Sequence, residues 1–236
     1  TPSMFMPAPG QADFIPNQVA PAFRRAGIKT KIVLYDHNCD HPAYPLSILK
    51  DPAANAFVDG SGFHLYGGKI DALTEVHAAF PNKNIYFTEQ SVSDLKGDGR
   101  IDAAAPVARI VIGAMRNWSR NVLLWNLAAD SQFGPHTNDG GCTECQGALT
   151  IDGDHVTKNL AYYTVAHASK FVRPGSVRVG SNELDELPNV AFKTSEGKMV
   201  LIVSNISNTS QEFGVRSGKK MFRATLGAGS VGTYVW

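Results

Sequence analysis

Four short stretches bring together acids, amides, imidazole and indole: Asp36-His37-Asn38, His64-Leu65-Tyr66, Glu89-Gln90 and Trp125-Asn126. Each closes an apolar run, where a strand hands over to a loop. That mixture suits a sugar, because an indole stacks on a pyranose face while amides and carboxylates pair with hydroxyls. A lone His or Trp is more often a core residue, so the weight lies on four polar strand ends in series.

Those residues share a pocket only if their strands are parallel neighbours. Residues 31–36, 60–66, 84–89 and 121–126 read as buried strands, and helical spacing occupies 10–25, 45–57, 71–80 and 105–118. A long Gly-rich loop follows, and then a final helix over 159–171. Repeated βα units imply a parallel sheet covered by helices, and in a βα barrel the C-terminal strand ends form the active face. Four such strands are half of a closed barrel and would leave two open parallel edges. This part therefore reads as the C-terminal half of a (β/α)8 TIM barrel.

From Ser176 the pattern changes to short alternating strands at 176–180, 190–193, 200–204, 211–215, 221–225 and 231–236. Turns such as Glu196-Gly197 and Ser217-Gly218 separate them, as in an antiparallel all-β module. The border falls near Arg173-Pro174-Gly175, which divides the chain into 1–173 and 174–236. Of the 236 residues, 43% are hydrophobic and 18% charged, which supports a packed core. A net charge of +1 argues against nucleic acid or an anionic membrane as the main partner. No apolar run approaches the roughly 18 residues that would span a bilayer.

The runs 31–36 and 62–66, with Ile85-Tyr86-Phe87-Thr88-Glu89 and Trp125-Asn126-Leu127, resemble the successive strands of glycoside hydrolase family 30. The similarity extends from Met6-Pro7-Ala8 to Tyr234-Val235-Trp236. This family includes glucosylceramidases and endo-β-1,6-glucanases. The pattern His64-Leu65-Tyr66-Gly67-Gly68, with Gly140-Gly141-Cys142, is most similar to its bacterial β-1,6-glucanase-like branch.

The resemblance implies a (β/α)8 barrel with an attached β-sandwich, a retaining mechanism and Glu89 as catalytic nucleophile. It also implies that Trp125 stacks on the sugar, with His64 and Tyr66 lining the pocket near Glu89. Asp36, Asn126 and His136 complete the substrate-binding set. His136 falls where glucosylceramidase-like members carry a sugar-binding Asn. No cofactor and no metal are implied.

One departure bears on the whole reaction. The family's acid/base glutamate lies in an Asn-Glu-Pro motif that this sequence lacks, and Asn182-Glu183-Leu184 falls in the β module. The expectation is that the proton donor and the first half of the barrel lie upstream, in the same parent chain or a second one. The nucleophile-bearing portion would then serve a retaining endo-β-1,6-glucanase. A glucosylceramidase-like exo-β-glucosidase and a non-catalytic carbohydrate-binding fragment remain as alternatives.

Other motifs carry blander readings. Gly227-Ala-Gly229-Ser-Val-Gly232 matches a dinucleotide fingerprint but leaves no room for the helix that binds a pyrophosphate, so it reads as a strand turn. Asp36-His-Asn-Cys39-Asp40-His41 holds possible metal ligands, yet a polar barrel-mouth loop accounts for it without metal. Cys142 and Cys145 suit a loop-bracing disulfide in an exported protein, with a reduced pair as the alternative, and Cys39 is left over. The expected location is therefore secreted or periplasmic. Residues 96–100 resemble a calcium loop only in one Asp-Gly pair, and sequons stand at Asn117, Asn205 and Asn208.

Overall fold

The computed structural model describes residues 4–94, 102–137, 139 and 141–236. The sequence match to a calcium loop at 96–100 lies outside them. The chain forms two compact units.

The first unit comprises Thr1–Gln90, Asn117–Leu124 and His136–Thr143. Its centre is a parallel sheet of β1 (Ile32–Cys39), β2 (Val58–Gly68), β3 (Asn84–Glu89) and β4 (Ser119–Val122), in that spatial order. Leu34, Phe63, Ile85 and Phe87 are almost wholly buried, which explains why apolar runs were needed here. Helices at Ala43–Leu49 and Pro52–Asn55 connect β1 to β2, and Ala72–Ala79 connects β2 to β3. The helix expected over 45–57 is thus broken in two. Asp51 precedes a proline and takes an extended backbone, and its carboxylate caps the second piece by accepting from Ala53 N at 2.8 Å.

Ahead of the sheet, Ala8–Phe14, a π-helical turn at Ile15–Val19 and Ala20–Arg25 follow one another. The run ends at Gly27, whose φ of 68° lets Ile28 N bond back to Phe23 O. Near the N-terminal ends of the strands, Asp59 is the centre of a polar cluster. Lys31 Nζ lies 2.9 Å from its Oδ1, Asn84 Nδ2 donates to its Oδ2 at 2.8 Å, and the Tyr86 hydroxyl donates to the same oxygen. Arg120 extends the cluster by donating to Asn84 Oδ1 at 2.6 Å.

The fourth strand is shorter than the 121–126 expected, because Trp125 lies beyond it and forms only an isolated parallel bridge with Ser91. The Gly-rich loop also holds more order than its composition implied. It contains β5 (Ala128–Ala129), β6 (Leu149–Asp152) and β7 (His155–Lys158), hydrogen-bonded in that order.

These strands belong to the second unit, with the helical run 104–116, the helix Leu160–Ser169 and the C-terminal strands. The latter are β8 (Val177–Val179), β9 (Asn189–Lys193), β10 (Met199–Ser204), β11 (Gln211–Ser217), β12 (Lys220–Leu226) and β13 (Val231–Val235). An antiparallel sheet of order β13-β10-β9-β8 is joined by a β11-β12 hairpin. Alternation along β9 and β10 loads both faces of this sheet. Val190, Phe192, Val200 and Ile202 pack with Val107, Val111 and Ile112 of the helical run. Ala191, Leu201 and Val203 pack with Phe213, Val215, Tyr234 and Trp236.

Arg116, at the end of the helical run, donates to Asn189 O, Ser181 O, Ser181 Oγ, Asn182 O and Glu183 Oε1, at 2.6–3.1 Å. Asn205, one of the three sequon residues, is fully buried. Its amide donates to Thr209 O, Leu226 O and Gly227 O, and its Oδ1 accepts from Ser207.

Candidate active site

Two β-bulges shape the C-terminal end of the parallel sheet. On one side of β2, Tyr35 pairs with Gly62 and His37 with Phe63, which leaves Asp36 as the extra residue of β1. On the other side, Phe63 pairs with Phe87 and His64 with Glu89, which leaves Thr88 as the extra residue of β3. Tyr35 and Asp36 both take left-handed backbone, with φ of 76° and 58°. For a bulky residue such as Tyr that conformation is strained, and strain of this kind clusters at functional sites.

The two inserted side chains meet. Thr88 Oγ1 donates to Asp36 Oδ1 at 2.6 Å, and His64 Nε2 lies 3.1 Å from the same oxygen. The His64 side chain is only 12% exposed, whereas that of Asp36 is 64% exposed. The hydrogen bond from His64, aided by that from Thr88 and opposed by partial burial, holds the Asp36 carboxyl below its ordinary range.

Beside this pair, Tyr66 lies near the end of β2 and Glu89 ends β3. The Tyr66 hydroxyl donates to Glu89 Oε1 at 3.2 Å, and Tyr66 N donates to Asn38 Oδ1 at 3.1 Å. Asn38 is itself held, because its carbonyl accepts from the Tyr35 hydroxyl. Burial, with Asp40 nearby, pushes the Tyr35 phenol up to about 12, so it stays a donor at neutral pH. Of the residues singled out from the sequence, Asp36, His64, Tyr66 and Glu89 are therefore brought together in the first unit. His136 belongs to the same unit and is exposed.

Trp125 and Asn126 lie in the second unit. The Trp125 side of that segment is open, the residue being 46% exposed. Asn126 O accepts from Ala148 N at 2.9 Å, and Asn126 Oδ1 is buried with no partner among the described residues. Cys142 and Cys145 are disulfide-bonded. Cys39 is a buried free thiol whose pKa burial raises to about 12, which makes it inert.

A sequence model described as the glycosyl hydrolase family 30 TIM-barrel domain matches residues 2–172. A second, the glycosyl hydrolase family 30 beta sandwich domain, matches 175–234. The chain belongs to glycosyl hydrolase family 30.

Within family 30, it is 37% identical over 177 residues to an endo-1,6-beta-D-glucanase of Trichoderma harzianum, covering 74% of this chain and 34% of that protein. It is 35% identical to an endo-1,6-beta-D-glucanase of Aspergillus fumigatus, covering 86% of this chain and 42% of that one. The mouse lysosomal acid glucosylceramidase is 26% identical, over 96% of this chain and 46% of its own length. The chain thus spans less than half the length of each of these curated relatives. Among solved structures, the endo-beta1,6-glucanase BT3312 superposes with a TM-score of 0.88 at 30% identity, covering 99% of this chain and 54% of that chain.

The sequence marks Glu89 and places Asn38 among the polar strand-end residues, but it does not disclose that Thr88 and Asn38 hold their neighbours. Both act by holding a neighbour, Thr88 through Asp36 and Asn38 through the backbone of Tyr66. A hydroxyl or amide of that kind has no distinguishing spacing in sequence. The only available signal was adjacency, since each stands within two residues of a flagged acid.

Proposed function

We propose that this chain supplies the nucleophile-bearing portion of a retaining β-glycosidase that cleaves β-1,6-linked glucan by endo action. The observation that carries the reading is Glu89 at the end of β3, its Oε1 engaged by the Tyr66 hydroxyl. A carboxylate held by a donor is kept aimed, as attack on an anomeric carbon requires. In the retaining route, Glu89 forms a glycosyl ester as the glycosidic oxygen takes a proton and leaves. Water then cleaves the ester and restores the carboxylate.

The proton donor in this reading is a glutamate of the upstream barrel half, since the family's Asn-Glu-Pro motif is absent from this sequence. Retaining enzymes set their two carboxyls about 5–5.5 Å apart. Trp125, Asn126 and His136, with His64, are the proposed sugar contacts. No cofactor takes part. The β-1,6 linkage is favoured because three relatives from 35% to 37% identical are named endo-1,6-beta-glucanases. The disulfide-bonded Cys142 and Cys145 suit an oxidising compartment and support a secreted or periplasmic location as part of this proposal.

The test is Glu89→Gln in the full-length enzyme on pustulan, a β-1,6-glucan. Turnover is expected to fall by roughly 10⁴-fold or more. Retained turnover overturns the nucleophile assignment. Hydrolysis of aryl β-glucosides without release of oligosaccharides from pustulan supports the exo-glucosidase alternative, and glycan binding with no hydrolysis supports the non-catalytic one.

A further inference from the structure

A β-bulge frees its inserted residue from the strand ladder, so the chain direction after it depends on what holds that residue. Thr88 is inserted immediately before Glu89, and its hydroxyl is held by Asp36 Oδ1 at 2.6 Å. Asp36 is itself the inserted residue of the opposite bulge, 52 residues away in sequence. The bond therefore crosses β2 from one neighbouring strand to the other.

What it crosses is Gly62. A Cβ at that position would sit 3.0 Å from Thr88 Oγ1 and 3.3 Å from Asp36 Oδ1, tighter than ordinary contact, so any larger residue presses on the bond. From β2 itself, His64 Nε2 reaches the same carboxylate oxygen at 3.1 Å. One atom of Asp36 thus gathers β1, β2 and β3. The strained backbone that presents it is secured on both sides, by Gln11 Oε1 accepting from Tyr35 N at 3.2 Å and by Asn38 O accepting from the Tyr35 hydroxyl.

We propose that Asp36 and Thr88 form a brace over Gly62 that sets the angle at which Glu89 leaves the sheet, making both of them positioning residues for the nucleophile. This rests on the reading of Glu89 as nucleophile. It departs from a sugar-binding role for Asp36, whose bonded oxygen is committed to protein partners.

The experiment follows labelling of the full-length enzyme by 2-deoxy-2-fluoro-β-D-glucosyl fluoride, whose fluoride leaves without a proton donor. Attack by the nucleophile expels fluoride and leaves a stable glycosyl ester, read by intact mass and located by peptide mapping. The wild-type enzyme is expected to carry the label on Glu89; absence of label there overturns the nucleophile reading and the brace together.

With that label in place, Thr88→Val is expected to slow the labelling rate constant by roughly 10²-fold, the cost of a small misplacement of a reacting group. The reagent concentration at half-saturation should stay within about 3-fold of wild type, and Thr88→Ser, which keeps the hydroxyl, should restore the rate to within about 3-fold. Labelling of Thr88→Val at the wild-type rate overturns the brace alone. So does a Thr88→Ser enzyme as slow as Thr88→Val, or an effect confined to half-saturation. Should Thr88→Val fail to fold, Asp36→Ala tests the same contact from its other end, with the same outcomes deciding.

Discussion

The hydroxyl of Tyr66 and Oε1 of Glu89 stand 3.2 Å apart near the C-terminal ends of adjacent parallel strands. A hydrogen bond to an ionised partner contributes roughly 1.5–3 kcal/mol. Tyr66→Phe removes the donor and keeps the ring, so kcat of the full-length enzyme should drop by about 10–100-fold on pustulan. An unchanged kcat would show that the phenol is a bystander.

Gly62→Ala tests the packing around the same strand ends. The new methyl meets Thr88 Oγ1 at 3.0 Å and Thr88 Cγ2 at 3.1 Å, closer than ordinary contact. Overpacking of this kind costs about 1–3 kcal/mol. The expected result is a lower denaturation midpoint together with slower turnover. Retention of both would mean that the strand ends yield freely.

Asp59 gives the fold a pH dependence whose sign can be worked out. Burial opposes its ionisation, but hydrogen bonds from Asn84, Tyr86 and Lys31 outweigh that and bring its carboxyl down to about 2. With an unfolded value of about 3.9, its contribution is complete above pH ~4 and is lost as pH falls through about 2. Urea midpoints measured across that window should fall more steeply for the wild type than for Asp59→Asn. Parallel acid limbs would remove Asp59 from the account.

Asn205 ties a turn of the C-terminal strands through three carbonyl acceptors and one serine. Asn205→Ala should destabilise the second unit by about 2–3 kcal/mol, since buried acceptors are left unmade. Chemical denaturation followed by tryptophan emission measures it. In a eukaryotic secretory host, mass mapping should find this sequon unoccupied, because its amide is engaged and out of reach.

How far these features were legible depended on whether they left a mark in hydrophobicity. The strands β1 to β3 stand out as apolar runs because Leu34, Phe63, Ile85 and Phe87 must be buried. The hairpin β6-β7 escaped notice, because every residue of β7 is exposed and so imposes no alternation. The bulges at Asp36 and Thr88 were equally hidden. A bulge is a difference in count between two strands, and neither strand alone records it. Asp51-Pro52, by contrast, was a readable break within the helix expected over 45–57.

The core shared by the helical run 104–116 and the β9-β10 face has a consequence for rearranging this protein. Val107, Val111 and Ile112 lie well before residue 175, where the match to the beta sandwich domain begins, yet they fill one side of its sheet. A graft cut at that point would carry the strands away with Val190, Phe192, Val200 and Ile202 stripped of cover. The donor would lose the socket of Arg116 in the same stroke. Shuffling this architecture between enzymes therefore calls for moving the helix with the strands, so that the inherited unit is the one that shares a core.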